Sequence, residues 1–360
     1  MAQRKTISDV ADRAGVSRSL VSAVLSGRKS TIRVSEETRK KVLQAAEEIN
    51  YRPSLIAKGL LAKKSFLLAY ICTGGGSWGV STRLLRSIQN ACLQHDYSLA
   101  VYPSDSLEEE ARNLQAALER QVDGIIVSPL MNIDKTNELL FRNVAESGIP
   151  VVQIGESFSG IQGVTRDFFQ IGRDAALMLA ESGRCNIMML TYDNYLDPKM
   201  GPASNAEFEG YCSVMEEYGF PVEVFPVQLS RASAGSNLSY KSSVTESCYL
   251  QLKTYLQKTK KQPDAFLASS NSLAYGAGFY CKDMSWTIPD DTAIISCSDD
   301  IVIPSMVLPS LSCFPLAAAE IGRAAVEQCL NSGKSEIIRI PQRYQENSSF
   351  SKDRKHGKVQ

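Results

Sequence analysis

In the first 64 residues apolar side chains recur at helical spacing and break off at glycines. Thr6, with Asp9 three residues on, has the pattern of a capping box. Ile7, Val10, Ala11 and Ala14 follow on one helical face, and Gly15 ends the helix in a turn of positive φ. Ser17 then caps a second short helix, 18–25, with Val21, Val24 and Leu25 inward, and Gly27 closes it. Ser35 caps a third helix running to Ile49, with Glu36 and Glu37 in its first turn, where they favour the helix dipole. Its predicted inner stripe is Val42, Leu43, Ala46 and Ile49. Pro53 stops this pattern, and Ser54 opens a further short helix, 55–61, in which Gly59 costs roughly 1 kcal/mol of helix propensity. A helix that marginal is either a hinge that folds on a partner or a plain linker.

From Phe66 onward the period changes. Short apolar runs at 67–72, 99–102, 124–127, 151–154, 187–190, 222–227, 265–268 and 293–295 are separated by stretches of helical pattern. Continuous apolar runs between helices are how parallel strands buried on both faces read, and an open α/β arrangement places a ligand cleft outside the strand carboxyl ends. The Ser-rich stretch 229–245 is expected to be a long surface loop, and the polar tail 351–360 to be disordered. Gly74, Gly76 and Gly79 match the dinucleotide fingerprint in its strand-to-helix context. The acid that should lie about 20 residues on is lacking: Asp105 is 26 beyond Gly79 and is not assigned to a strand end. The same glycines would serve as a backbone anion nest or as an ordinary cleft loop.

Composition narrows the class. The 360 residues allow two or three domains. No apolar run approaches the roughly 18 residues of a membrane span, and the N-terminus has no apolar signal core. Nine cysteines without a CxxC pair suit a reducing cytoplasm, and two histidines, His95 and His356, make histidine catalysis and His-ligated metal unattractive. Net charge is zero but uneven: residues 1–64 hold 14 basic and six acidic side chains, a surplus of eight that the remainder cancels. A basic head on an acidic body suggests a head that meets a polyanion.

Two short helices joined by a glycine turn, with a third behind them, describe a helix-turn-helix. Its second helix would enter the major groove, Arg18 and Ser19 meeting base edges while Ser17, Ser22 and the helix N-termini take phosphates. The guanidinium fork of Arg18 suits guanine O6 and N7. The alternative is a three-helix packing module without a DNA role, which the positive surplus disfavours.

These segments, with QVDGIIVSP (121–129), SGIPVVQIG (147–155), QPDAFLASSNSLAYGAG (262–278) and IPDDTAIIS (288–296), make the chain similar to the lactose/galactose repressor (LacI/GalR) family over nearly residues 5–350. The resemblance implies an all-α helix-turn-helix head on a two-lobed, periplasmic-binding-protein-like (type I) α/β core with parallel sheets. It divides the chain into a head, 1–50; a hinge, 51–64; a first subdomain, 65–160 and 299–315; and a second, 161–298 and 316–350. Crossovers are expected near Gly160, Ser298 and Phe314.

It also implies a homodimer on a near-palindromic double-stranded DNA operator, in the cytoplasm and on the nucleoid, with no membrane partner and no cofactor. A small-molecule effector of unknown identity would sit between the lobes. Ala23 joins Arg18 and Ser19 at base-reading positions, and Thr6, Arg33 and Tyr51 join the serines at phosphates. Leu60, with Ala57 and Lys58, would engage the minor groove at the operator centre. Gly75, Trp78, Gly155, Glu207, Asn271 and Ser298 form the expected effector set.

Glu207 stands where the family has arginine, so either the ligand carries a cation or Glu207 faces solvent or an internal arginine and effector binding is altered or lost. Two other classes are weighed: a solute-binding receptor, which the head argues against, and an enzyme, for which no nucleophile–base pair or metal cluster stands out.

Overall fold

The computed structural model describes residues 5–25, 34–52, 59, 62–73, 78–130, 136–156, 158–193, 205–228, 237–298, 309–331 and 336–352. They fall into two units, 1–66 and 67–360.

The first unit holds three helices, α1 (Ile7–Ala14), α2 (Arg18–Leu25) and α3 (Glu36–Glu48). The predicted capping box on α1 is present: the Thr6 hydroxyl accepts from the Asp9 N–H at 3.4 Å, and the Thr6 N–H donates to the Asp9 carboxylate at 2.7 Å. Gly15 ends α1 at φ +66°, where a side chain would be strained. The Ser17 hydroxyl accepts from Leu20 N–H at 3.3 Å, and that of Ser35 from Thr38 N–H at 3.2 Å, so both helices start where the caps predict. Val10, Ala11, Val21, Val24, Val42, Ala45 and Ala46 form the small core. Leu43 is not part of it: it is 48% exposed and Ala45 takes its place. The buried positions 42, 45 and 46 keep the i, i+3, i+4 spacing, and residue 43, one step along, is turned about 100° away from them.

The second unit contains two parallel sheets. The first has the order β2 (Ser98–Ser104), β1 (Leu67–Thr73), β3 (Gly124–Val127), β4 (Val151–Ile154), β5 (Gly163–Arg166), β11 (Ile337–Ile340). The second has the order β7 (Glu223–Val227), β6 (Ile187–Tyr192), β8 (Ala265–Ala268), β9 (Ala293–Ser296), β10 (Ser312–Cys313). Strands β3, β8 and β9 are buried along their whole length, the apolar runs that predicted them being covered on both faces. Pro103 and Pro226 both lie in edge strands, where a missing ladder N–H is tolerated.

The connecting helices are α4 (Trp78–Gln94), α5 (Leu107–Glu119), α6 (Glu138–Glu146), α7 (Phe168–Glu181), α8 (Ala206–Tyr218), α9 (Asn237–Thr259), α10 (Asn271–Asp283) and α11 (Ala318–Leu330). Helices α5 and α6 pack on the first sheet, and α11 packs on α4 and on β3, β4 and β5. Helices α7 and α8 pack together against the second sheet's core, which includes Ile187, Leu267 and Ile295. Helices α9 and α10 cover that sheet's other face.

Three expectations change here. Residues 237–245 are helical, not loop. The apolar side chains Val244, Cys248, Leu252 and Leu256, all 1% exposed or less and spaced four apart, override the Ser-rich composition. The lobe boundaries also move. β5 belongs to the first sheet, so the first crossing follows Arg166 rather than Gly160. β10 pairs with β9 in the second sheet, so the described part of 299–315 is not in the first lobe. α11 and β11 lie in the first lobe, so the described residues of 318–340 are not in the second. The chain crosses back after Ile340, where Gln345 bridges Cys313 and Phe350 joins the second sheet's core. These strands have two to four residues each, too short to show as runs against their polar flanks. Third, Asp105 directly follows β2, at the strand end not assigned to it, and its N–H donates to the Glu109 carboxylate at 2.8 Å. Gly74 and Gly76 lie outside the described residues, as do Asp299, Asp300 and tail residues 353–360.

Candidate functional site

In the head, the caps fix which face of α2 looks outward. Val21 and Val24 are buried, so Arg18, Ser19 and Ser22 are exposed together and Ala23 is half-buried. Arg18 is the first residue of the helix and is exposed, so its charge stands at a helix N-terminus, where anions are favoured. Ser17 spends its hydroxyl on the cap and meets Ser19 Oγ at 3.1 Å. The hydroxyl of Thr6 is likewise held in the capping box. Tyr51 is half-buried against the head core, and burial raises its phenol above the usual range. An Arg13–Glu48 ion pair of 2.6 Å joins α1 to α3 and holds the Glu48 carboxyl below its ordinary range through a hydrogen bond from Arg13. Arg33, Ala57, Lys58 and Leu60 lie outside the described residues.

In the body, a cavity of about 290 Å³ opens at the carboxyl ends of β1, β3, β4 and β5, the place where open α/β sheets bind ligands. Tyr70 and Ser128 share a hydrogen bond of 2.9 Å in its wall, and burial drives the Tyr70 phenol far up. Cys72, also in the wall, is pushed up to about 11 by burial, which makes it a poor nucleophile. Gly155 lines the cavity at φ +116°, a conformation that side chains rarely adopt, with its N–H donating to Val164 O at 2.9 Å. Gly75 lies outside the described residues, and of Trp78 only its place at the start of α4 is described.

Glu207, Asn271 and Ser298 are not in the cavity wall; they stand at strand ends and helix starts of the second sheet. Glu207 is in the first turn of α8 and 7% exposed. Burial raises its carboxyl to about 7, and the positive charge of Arg166 opposes that rise. Glu207 thus lies in the electrostatic field of an internal arginine, which favours one of the outcomes left open above. Asn271, 5% exposed, begins α10 just after its cap Ser270, whose hydroxyl meets Tyr192 at 2.7 Å. Ser298 N–H donates to Ser296 Oγ at 3.3 Å in the turn after β9.

Arg166 is the residue that composition and spacing did not single out. It ends β5 in the first sheet and lines the cavity. Its Nη2 donates to Cys297 O at 2.5 Å and to Phe314 O at 3.1 Å, and its guanidinium lies 5.4 Å from the Phe168 ring centroid. Cys297, buried beside Glu207, has its thiol raised well above the usual range by desolvation first and by the carboxylate second. A charged residue closing a short apolar segment, directly ahead of the helix-capping Asp167, was the one signal in the sequence.

Two glycines bring Glu207 to this place. A Cβ on Gly172 of α7 would sit 2.1 Å from Glu207 O, and one on Gly210 of α8 would sit 2.1 Å from Phe169 O. Only glycine on each helix permits backbones this close.

A capped three-helix head with an Arg- and Ser-bearing outer face, in one chain with a two-sheet body carrying a strand-end cavity, defines a helix-turn-helix regulator with a receptor-type body. "Bacterial regulatory proteins, lacI family" match residues 6–54, and the periplasmic binding protein-like domain matches residues 176–345, together more than half of the chain. The chain belongs to the lacI family of bacterial regulatory proteins, DNA-binding transcription regulators. It is 28% identical over 346 residues to catabolite control protein A of Priestia megaterium, covering 94% of this chain and 97% of that protein. It is 26% identical over 329 residues to the HTH-type transcriptional regulator KdgR of Bacillus subtilis (strain 168), covering 90% of each. Its fold is similar to the lac repressor dimer bound to operator and the anti-inducer ONPF, with a TM-score of 0.69 at 20% identity over 96% of this chain and 99% of that one.

Proposed function

We propose that the protein is a repressor that binds a near-palindromic operator as a homodimer, one head per half-site, with its affinity set by a small molecule in the body cavity. The observation that carries this reading is the outward face of α2: Arg18, Ser19 and Ser22 stand exposed on a helix whose other side is fixed by the head core. Arg18 and Ser19, with Ala23, read bases; Ser17, Ser22, Thr6, Arg33 and Tyr51 serve phosphates; Leu60, Ala57 and Lys58 serve the minor groove. The similarity to a repressor solved as a dimer on its operator supports the paired arrangement. In this reading the chain works in the cytoplasm on the nucleoid, as a binding protein rather than an enzyme. No helix among the described residues is long and apolar enough to cross a membrane.

The effector acts through its different affinity for two arrangements of the body. The positive charge of Arg166, felt at Glu207, supports an effector specificity altered from the family's over a cation bound at Glu207, because that carboxylate already lies in the field of a cation. Selection of duplexes from a random pool by the full-length chain tests the reading: a near-palindromic consensus should emerge. Enrichment of no sequence, with and without candidate metabolites, would overturn it.

A further inference from the structure

The polar groups around the cavity are unusual in kind. Among the described residues no acidic and no amide side chain lines it. What lines it is a guanidinium, hydroxyls, the Cys72 thiol and apolar groups. The Thr165 hydroxyl is buried, the residue being 3% exposed, and has no hydrogen-bond partner among the described residues. The Arg166 Nε–H beside it is buried and equally unpartnered, although Nη2 of the same side chain is bonded twice. Buried donors without acceptors are costly, and a ligand bearing acceptors relieves that cost. A neutral hexose brings many hydroxyl donors to a wall that lacks carboxylate or amide acceptors. A carboxylate brings only acceptors, in the geometry that guanidinium prefers. The volume of about 290 Å³ is at the small end of ligand sites, so the molecule is compact.

We propose that the cavity takes a small organic carboxylate, its head group against Arg166 and Thr165 and its apolar body against Leu84, Val164 and Ile321. This rests on the cavity being the effector site. The charge balance agrees: Glu207 loses part of its charge near neutrality, with its carboxyl raised to about 7, which leaves Arg166 incompletely compensated. An anion arriving at Arg166 raises Glu207 further, so binding takes up a proton. The charged or titratable groups facing Glu207 are Arg166 from β5 and Cys297 after β9.

The test is calorimetry on the intact chain with isovalerate, 2-oxoisovalerate and benzoate, against isovaleramide and glucose, alongside operator affinity. At least one carboxylate should bind, about tenfold or more tighter than the neutral amide. Arg166→Gln should cost about tenfold or more, and Thr165→Val, which leaves both charged groups in place, should weaken binding even if the arginine variant fails to fold. Near pH 7 the binding enthalpy should change with the buffer's ionisation enthalpy, and Glu207→Gln should remove that dependence. Glucose binding that shifts operator affinity while no carboxylate binds would overturn the carboxylate and keep the effector reading. Carboxylate binding that needs Arg166 but leaves operator affinity unmoved would keep the ligand and overturn the effector reading. Failure of every carboxylate to bind overturns the proposal.

Discussion

Glu207 shows what a single residue reveals and conceals. Its charge was legible as out of place for a family cleft; the cation acting on it was not, because Arg166 comes from a strand too short to be seen as one. The burial of Glu207 has a measurable consequence. The unfolded carboxyl titrates near its ordinary 4.5 and the folded one at about 7, so the folded state holds the proton more tightly. Stability from this group is full below about pH 4.5 and falls as pH rises through about 7. Glu207→Gln should remove that decline, leaving the variant more stable than the parent above neutrality by about 2–4 kcal/mol, read from denaturant melts across pH. A parallel pH profile in parent and variant would contradict the burial of this charge. Arg18 makes the second residue-scale prediction. Arg18→Ala should relax discrimination at one operator base pair by about 1–3 kcal/mol. Equal weakening on all sequences would make Arg18 a phosphate contact.

At the level of elements, legibility followed local chemistry. The starts of α1, α2 and α3 were readable because a serine or threonine hydroxyl closes each within three residues. The inner stripe of α3 was misread at Leu43, since an apolar residue adjacent to a stripe is not on it. In α9, composition pointed to loop while four-residue spacing of Val244, Cys248, Leu252 and Leu256 pointed to helix, and burial decided for the spacing. The crossing of α7 and α8 was invisible, because Gly172 and Gly210 reveal their purpose only when the two backbones meet. Gly172→Ala should therefore lower stability by about 1–3 kcal/mol through overpacking. Gly278→Ala in α10, whose added Cβ meets nothing within 4 Å, should be neutral or raise the melting temperature. A Gly172 variant that melts with the parent would show that the helices separate at little cost.

For the molecule as a whole, the division into head and body was plain from charge and period. The order of crossings was not, because it depends on strand pairings among residues more than 170 positions apart, such as Val164 with Ile338. The split at residue 66 predicts that a chain lacking 1–66 keeps the body's cooperative melt and loses all sequence-selective DNA binding, measured by calorimetry and by gel shift. Retained selectivity would place the DNA-reading surface elsewhere.

The late position of β11 carries a consequence for synthesis. The first sheet gains its last strand from residues 337–340, and α11, which packs on four of its strands, is made only just before. On the ribosome the head is complete after some sixty residues, while the sheet nearest to it in sequence must wait for residues 337–340. Nascent copies therefore carry a finished DNA-reading head long before there is any body able to hear a metabolite.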